Sequence, residues 1–343
     1  MPPRSLPPSD PFFPRANGPR LRWGIIGGGW IAGRFIEALR AHTDQVVAAV
    51  ATRSSLTANV FAQQFDVPRA FPSVDEMLNA PEIDAVYIAA PADQHLALGL
   101  QAIDAGKHVL VEKPFATSAE EALRLTAAGH DRGVLVMEAM WTRYLPQTQV
   151  LRTLLADGAL GDLRTVTVDH GQAMPLDSPM RKGGPGGGAL LDLGIYSVQL
   201  ASLALGPALD VTAVGRLTPD GTDETSTVVL AHQAGGLSTL TTTLDTFTPS
   251  TASINGSLGR IEFASPFYMP FGFALRPAGW AEAPLEWTDE SGVALFDALS
   301  WQATAFAEFA AEGRTESPLH THAETIAILD VLDRARDQLG AKG

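Results

Sequence analysis

The chain has 343 residues, enough for two domains that each bury a core of their own. Its net charge of -14 argues against a nucleic-acid or membrane partner, because little positive surface is available to neutralise phosphates. The sequence contains no cysteine, which excludes disulfides, thiolate metal sites and a cysteine nucleophile. It also contains no apolar run approaching the ~20 residues that span a bilayer.

The first 20 residues are rich in proline and lack the apolar core of a secretory signal. We therefore expect residues 1–20 to form an extended or flexible arm, and the protein to be cytoplasmic.

Residues 21–140 alternate short apolar runs with helical patterns. The predicted strands are "LRWGII", "QVVAAVA", "DAVYIAAP", "HVLVE" and "VLVME", with a helix after each of the first three. Continuously apolar strands that alternate with helices are typical of a parallel sheet covered on both faces. The sequence therefore predicts an α/β fold whose first domain is a doubly wound Rossmann domain.

Residues 141–343 have a different character. Segments such as "LRTVTVDHGQA" and "STVVLAHQAGGLSTLTTTLDTF" are rich in Thr and Val and alternate in polarity, and the second folds back at a Gly-Gly turn. Helices are expected near residues 147–157, 189–205 and 324–339. This pattern predicts a C-terminal α+β domain with a large, mainly antiparallel open sheet, for substrate binding and oligomerisation.

A glycine turn lies between the first strand and the first helix, where a dinucleotide-binding fingerprint belongs. Gly27 permits the tight turn, Gly29 lets a pyrophosphate approach the backbone, and Ala32 allows close packing of the helix on the strand. The start of the helix offers free N–H groups to phosphate. The predicted cofactor-binding residues here are Gly27, Gly28, Gly29, Trp30, Ile31 and Ala32.

The end of the second strand should contact the adenosine ribose. An acidic residue there would favour NAD, but the sequence has Thr52, Arg53 and Ser54. A guanidinium with neighbouring hydroxyls suits the 2′-phosphate of NADP. We predict NADP as the cofactor, with NAD as the weaker alternative.

Lys113 follows the buried run "HVLV" directly after Glu112 and is held by Pro114, which restricts the backbone before it. Ligands of doubly wound sheets lie beyond the carboxyl ends of the strands, so Lys113 is expected near the nicotinamide. Pro91 and His95 leave the neighbouring strand end and are expected to line the same cleft.

A second candidate site lies in "GGPGGGALLDLGIY". Its glycines would let the backbone approach a ligand, and Asp192 and Tyr196 are spaced to share one face of the following helix. From the residues alone, a helix cap and an ordinary amphipathic tyrosine are the better explanation of this pair.

The motifs "GIIGGGWIAG", "AGKHVLVEKP" and "GGGALLDLGIY" together resemble those of the glucose–fructose oxidoreductase/inositol dehydrogenase (Gfo/Idh/MocA) family. The resemblance runs from Leu21 over nearly the whole chain. "MEAMWTRYLP" and "GRTESPLHTHAET" are most similar to the branch of dimeric dihydrodiol dehydrogenases and NADP-dependent D-xylose dehydrogenases.

The resemblance implies roles for individual residues. Lys113, Asp192 and Tyr196 match the family's catalytic lysine, its active-site Asp and its proton-transferring residue. Gly27, Gly29, Arg53, His95 and Glu112 fall on cofactor-contacting motif positions, as do Trp141 and Arg143. No metal is expected, and His170, His320 and His322 are expected to be structural or surface residues.

The implied chemistry is hydride transfer with removal of a hydroxyl proton. A free tyrosine has a pKa near ~10, and we expect the Lys113 ammonium to lower that of Tyr196. The predicted function is NADP-dependent oxidation of a sugar-like carbinol or hemiacetal, such as C1 of D-xylose or D-glucose. Oxidation of a trans-dihydrodiol, reduction of a dicarbonyl or keto-sugar, and a non-catalytic NADP sensor are the alternatives. The expected partners are a small-molecule substrate and a second copy of the chain, in a homodimer through the C-terminal sheet or a higher homo-oligomer.

Overall fold

The computed structural model describes residues 3, 5–9, 18–184, 186–279 and 282–342. Of the predicted arm, residues 1–20, positions 1, 2, 4 and 10–17 lie outside the described residues. Among its described residues, Leu6 is partly buried against the core. Within these ranges, no helix combines the length and the apolar character needed to cross a membrane.

The first part of the chain forms a six-stranded parallel sheet. Its strands are β1 (Arg22–Ile26), β2 (Val46–Ala51), β3 (Arg69–Phe71), β4 (Ala85–Ile88), β5 (His108–Val111) and β6 (Val136–Glu138). The spatial order is β3-β2-β1-β4-β5-β6, and every neighbouring pair is parallel. This is the doubly wound order, and it places a ligand crevice where the order reverses, at the carboxyl ends of β1 and β4.

The helices of this region connect the strands. They are α1 (Trp30–His42), α2 (Ser55–Gln64), α3 (Val74–Leu78), α4 (His95–Asp104) and α5 (Ala119–Arg132). The strands are buried almost throughout, as expected for a sheet covered on both faces. The predicted Rossmann sheet is confirmed, although the short edge strand β3 was not predicted from the sequence.

The second part of the chain forms an eight-stranded sheet. Its strands are β7 (Leu163–Gly171), β8 (Ala208–Leu217), β9 (Asp223–His232), β10 (Leu237–Thr243), β11 (Ala252–Gly256), β12 (Gly259–Phe263), β13 (Phe273–Pro277) and β14 (Leu285–Trp287). Their order is β14-β13-β12-β11-β7-β10-β9-β8. The neighbours are antiparallel except β7 and β10, which are parallel, so the sheet is mixed and mostly antiparallel.

The remaining helices join the two sheets. They are α6 (Pro146–Ala156), a π-helical turn (Leu190–Gly194) that continues as α7 (Ile195–Leu205), α8 (Leu299–Ala311) and α9 (His322–Leu339). Helix α7 covers the inner face of the large sheet at β7 and β10. The end of the chain returns to the first sheet, because α8 packs on α1 and α9 packs on α5 as well as on β8. Helix α8 was not predicted from the sequence.

Candidate active site

The glycine turn after β1 crosses the end of β4 in close contact. Gly27 has a φ of +119°, and a Cβ on it would lie 2.3 Å from the carbonyl oxygen of Ala89, so no other residue fits without rearrangement. A Cβ on Gly29 would meet nothing within 4 Å. Gly29 is the N-cap of α1, and neither a side-chain cap nor an acidic residue occupies the first turn of this helix. The turn therefore leaves open space in front of free N–H groups, which suits a phosphate.

A cavity of about 330 Å³ lies over this turn. Six of the residues predicted to bind the cofactor line it, together with Thr57 and Gln94: Gly27, Gly28, Gly29, Thr52, Arg53 and Pro91. The side chain of Ala32 is fully buried on the inner side of α1 and takes no part in the lining.

Arg53 and Ser54 both follow β2, but only Arg53 is available to a ligand. Arg53 is exposed at the cavity and has no ion-pair partner among the residues that the structure describes. The hydroxyl of Ser54, in contrast, caps α2 by accepting a hydrogen bond from the N–H of Thr57 at 3.2 Å. Helix capping thus competes for Ser54, and Thr57 lines the cavity in its place.

A second cavity of about 430 Å³ adjoins the first and shares Ala90 with it. It brings together Trp30, Ile31, Glu112, Lys113, Trp141, Asp192 and Tyr196, which were all predicted site residues. Ala90 and Glu112, which follow β4 and β5 of the first sheet, and His170 of β7 in the second sheet line this cavity, so it lies between the two sheets.

Lys113 and Asp192 form the charged centre of the second cavity. The Lys113 ammonium donates hydrogen bonds to the Asp192 carboxylate at 2.7 Å and to the Asp192 backbone carbonyl at 3.0 Å. Both side chains are mostly buried, with 17% and 15% of their surface exposed. Burial alone would lower the pKa of Lys113, but Asp192 and Tyr196 hold it above its usual range. Lys113 is therefore a fixed positive charge.

Tyr196 lies beside this ion pair, with the Lys113 nitrogen 5.1 Å from its ring centroid. Its hydroxyl oxygen accepts a hydrogen bond from Trp141 Nε1–H at 3.0 Å, which leaves its own proton available. Burial raises the pKa of Tyr196 to about 12, although Lys113 lowers it as expected from the sequence. The expectation of a net decrease is therefore wrong, because desolvation outweighs the nearby ammonium.

Glu112 lies at the base of the same cavity. It accepts a hydrogen bond from the buried hydroxyl of Tyr87 and one from the backbone N–H of Lys113 at 3.0 Å. Burial raises the pKa of Glu112 to about 7.

The glycine-rich segment before Asp192 packs against protein. A Cβ on Gly186 would lie 2.9 Å from the side chain of Ala92, and one on Gly188 would lie 2.0 Å from the Asp223 carboxylate. Asp223 also accepts a hydrogen bond from the N–H of Leu190 at 2.6 Å, at the start of the π-helical turn. These two glycines therefore admit protein groups, where the sequence suggested approach to a ligand.

An aromatic wall opposite Lys113 was missed by the sequence interpretation. His170 stacks on Tyr268 at 4.5 Å between ring centroids, and Tyr268 stacks on Tyr196 at 5.4 Å. Gln172 donates to Tyr268 at 3.3 Å and lies 3.2 Å from His170 Nε2. Burial lowers the pKa of His170 to about 4, so its ring is neutral near neutral pH.

One signal for His170 was present in the sequence. It continues the inward alternation of Val166 and Val168 to the end of β7, where a polar residue on the buried face faces the cleft. Tyr268 lies in a loop between strands and has no comparable local signal. The prediction that His170 is only structural is corrected, because it lines the second cavity.

Two predicted cofactor contacts lie elsewhere. His95 is buried, and its ring nitrogens contact the carbonyls of Pro114 and Ala90 at 2.9 Å each. Arg143 is fully buried and binds Gln199 and Glu324, at 2.7 and 2.9 Å. Neither residue lines either cavity. Their polar atoms are engaged within the protein, so both hold the surrounding loops in place.

Among the residues that the structure describes, no group of three or more His, Asp or Glu side chains could hold a metal ion.

Comparison with known proteins identifies the chain. A doubly wound sheet whose phosphate-binding turn adjoins a Lys–Asp–Tyr cluster defines a nucleotide-dependent oxidoreductase. Residues 21–140 match the model of the oxidoreductase family with an NAD-binding Rossmann fold, and residues 148–262 match the Gfo/Idh/MocA C-terminal domain. The chain belongs to the Gfo/Idh/MocA oxidoreductase family.

Curated relatives support the same assignment. The chain is 33% identical to the trans-1,2-dihydrobenzene-1,2-diol dehydrogenase of Bos taurus, over 93% of this chain and 97% of that protein. It is 32% identical to the Homo sapiens enzyme of that name, with the same coverage. The chain is therefore a dehydrogenase that acts on CH–OH groups, and the alternative of a non-catalytic sensor is not supported.

Solved structures have the same fold. A 3-ketoreductase from Actinomadura kijaniata, solved with NADP and TDP-benzene, is 26% identical with a TM-score of 0.79, and the match covers 94% of this chain and 98% of that one. A levoglucosan dehydrogenase solved with NADH and levoglucosan has a TM-score of 0.83 at 21% identity, over 94% of this chain and 97% of that one. Structures of this fold have thus been solved with either nucleotide.

Proposed function

We propose that the protein is an NADP-dependent dehydrogenase that oxidises one carbinol or hemiacetal carbon of a small sugar-like ring. C1 of an aldopyranose such as D-xylose or D-glucose is the leading substrate. The observation that carries the proposal is the Lys113–Asp192 ion pair at 2.7 Å beside Tyr196, in a cavity that adjoins the glycine turn.

The preference for NADP rests on charge. Arg53 lines the first cavity, and no acidic residue is among the described residues that line it. A ribose 2′-hydroxyl would favour a carboxylate there, whereas a 2′-phosphate favours a guanidinium. NADP would be held by Gly27 to Gly29, Thr52, Arg53 and Pro91, and when bound it supplies or accepts the hydride.

Three residues of the second cavity would have different roles in the reaction. Lys113 is a fixed cation that can hydrogen-bond the substrate oxygen and stabilise negative charge on it. The Tyr196 oxygen accepts the hydrogen bond from Trp141, so its own proton is free to be donated to the substrate oxygen in reduction. In oxidation Tyr196 would first release this proton to solvent, and its phenolate would then take the hydroxyl proton of the substrate as the hydride leaves. Asp192 keeps the Lys113 ammonium in place.

The walls of the second cavity favour a ring with a polar edge and an apolar face. Lys113, Asp192, His170 and Gln172 offer hydrogen bonds, while Trp30, Trp141, Phe296, Met174 and Met180 offer apolar surface. A pyranose has both features. A trans-dihydrodiol has them too, and the names of the curated relatives favour this second candidate.

The proposal is tested by following reduced nicotinamide absorbance with D-xylose, D-glucose, a trans-dihydrodiol and an inositol, each with NADP and with NAD. We expect turnover of an aldopyranose with NADP. Lys113→Ala and Tyr196→Phe should each lower kcat by ~10²–10⁴-fold and leave NADP affinity within a small factor.

Tyr144→Phe is the matched control, because Tyr144 is buried and lines neither cavity. Turnover of the dihydrodiol alone would replace the leading substrate with the second candidate. Normal turnover by Tyr196→Phe across the pH range would show that Tyr196 is only a packing residue.

We also propose that the protein forms a homodimer through the outer face of the eight-stranded sheet. The face opposite α7 is open and weakly charged in its centre, and such surfaces often mark interfaces.

A further inference from the structure

The loop that carries Lys113 is held by side chains from two neighbouring elements. The carbonyl of Pro114 lies 2.9 Å from His95 Nδ1, and the N–H of Phe115 donates to the Glu138 carboxylate at 3.2 Å. His95 begins α4, whereas Glu138 is the last residue of β6. The backbone immediately after the lysine is thus fixed by groups that do not themselves reach the cavity.

The second oxygen of Glu138 binds the C-terminal part of the chain. It accepts hydrogen bonds from His320 Nε2 at 2.8 Å and from the Thr325 hydroxyl at 3.0 Å. The side chains of Glu138 and His320 are 1% and 0% exposed. One buried carboxylate therefore connects the lysine loop to residues that lie more than 180 positions later in the chain.

These donors belong to a segment, residues 315–325, that we call the C-terminal strap. The strap lies along the edge of the parallel sheet, where the N–H of Val136 donates to the carbonyl of Thr315 at 3.0 Å. His322 Nε2 lies 2.8 Å from the carbonyl of Val136. These two contacts fix the strap to β6, the strand that ends with Glu138.

The bonding pattern requires a carboxylate at position 138. Both oxygens accept, one from a backbone N–H and the other from His320 and Thr325. An amide of the same size would either turn its NH2 group toward the N–H of Phe115 and lose that bond, or turn it toward His320. In the second case the His320 proton would have to move to Nδ1, a buried nitrogen with no hydrogen-bond partner among the described residues. A buried donor without an acceptor is costly, so the loop or the strap would shift.

We propose that Glu138 is a positioning residue for the reaction, which holds Lys113 against Asp192 through the backbone of Phe115 and makes the C-terminal strap part of the active-site support. Glu138 does not line the substrate cavity. This inference rests on the proposed role of Lys113. A small displacement of a catalytic group is enough to slow a reaction strongly.

The test compares wild type with Glu138→Gln and with the milder Thr325→Val, which removes one of the donors to Glu138. We expect kcat to fall by about 10–100-fold in Glu138→Gln and less in Thr325→Val, with NADP affinity within a small factor. The primary deuterium isotope effect on kcat should rise, because hydride transfer becomes more rate-limiting. Amide hydrogen exchange in peptides covering residues 113–117 should speed up in both variants.

Thr304→Val is the control for general loss of stability. Like Thr325→Val, it removes the hydrogen bond of a buried threonine hydroxyl, here to the carbonyl of Ser300 at 3.1 Å, within α8 and outside the strap. Normal exchange in residues 113–117 of Glu138→Gln, or an equal fall of kcat in Thr304→Val, would overturn the proposal. Equal activities of wild type and Lys113→Ala would instead refute the proposed function. The difference in amide hydrogen exchange between wild type and Glu138→Gln would not depend on that outcome.

Discussion

The proposed preference for NADP rests on the guanidinium of Arg53. It follows the carboxyl end of β2, and no acidic residue is among the described residues that line the cavity, so a 2′-phosphate would supply its counter-charge. Its flanking hydroxyls are less available than the sequence suggests, because Ser54 caps a helix and the Thr52 hydroxyl donates to the carbonyl of Ser54 at 2.9 Å.

Arg53→Asp should weaken NADP binding and shift preference toward NAD. Loss of a charge-assisted phosphate contact costs about 1.5–3 kcal/mol, or about 10–150-fold in Kd. The introduced carboxylate can accept hydrogen bonds from a free ribose 2′-hydroxyl. Fluorescence titration of both nucleotides into wild type and variant measures the effect, with Arg53→Lys as a control that keeps the charge. A wild type that binds NAD more tightly than NADP would contradict the prediction.

The sequence predicts individual residues well where backbone geometry decides their position. Gly27, Gly29 and Lys113 follow strand ends, and the parallel sheet places those ends together. The sequence predicts a role less well for a polar side chain that can bind either a ligand or another protein group. Arg143 and His95 stand in motif positions, yet neighbouring carbonyls and carboxylates bind them.

Among the elements, the start of α9 shows how one capping group serves two purposes. Glu324 completes a capping box with Thr321 and also binds the buried guanidinium of Arg143 at 2.9 Å. Burial would raise the pKa of Glu324, but Arg143 and the Thr321 N–H lower it to about 2. The helix start therefore fixes the loop that carries Trp141, the partner of Tyr196.

Glu324→Gln should destabilise the protein by about 1.5–3 kcal/mol at neutral pH. The folded-state pKa lies below the ordinary value of 4.5, so this contribution is present above about pH 4.5 and is lost as the pH falls toward 2. Urea unfolding of both proteins across this range measures it. Glu312→Gln, which breaks an exposed pair with Arg314, should cost at most about 1 kcal/mol. A difference for Glu324→Gln that is independent of pH would refute the assignment.

Most elements with a clear hydrophobic period were predicted from the sequence, but the amphipathic helix α5 was not. Helix α8 was missed because it is buried on nearly all sides, so it has no polar stripe to mark a helical period. Strand β3 has three residues, too few to show alternation. The parallel pairing of β7 with β10 joins strands far apart in sequence, and local alternation carries no information about such a partner.

The whole molecule exposes one broad face of its larger sheet. Several apolar residues of its strands are buried on the inner side and do not contribute to this face: Leu240, Ile254, Ile261 and Phe263. The outer face carries mainly threonine, with Val214 and Val229 exposed among them on β8 and β9. The Thr227 and Thr241 hydroxyls pair across strands at 3.1 Å, which reduces their demand for water.

A weakly charged, open sheet face can be covered by a second copy through the same surface, which gives a closed two-fold dimer. Light scattering during size exclusion, over about two decades of concentration around the micromolar scale, should give the dimer mass. Val229→Arg places a charge on the exposed part of this face at β9 and should shift the equilibrium to monomer, because a dimer through this face would bury the charge without a partner. Leu123→Arg, at an exposed site on α5 of the other domain, should leave the dimer intact. Monomer mass at every concentration of wild type would eliminate the dimer, and the threonine face would then be a solvated surface.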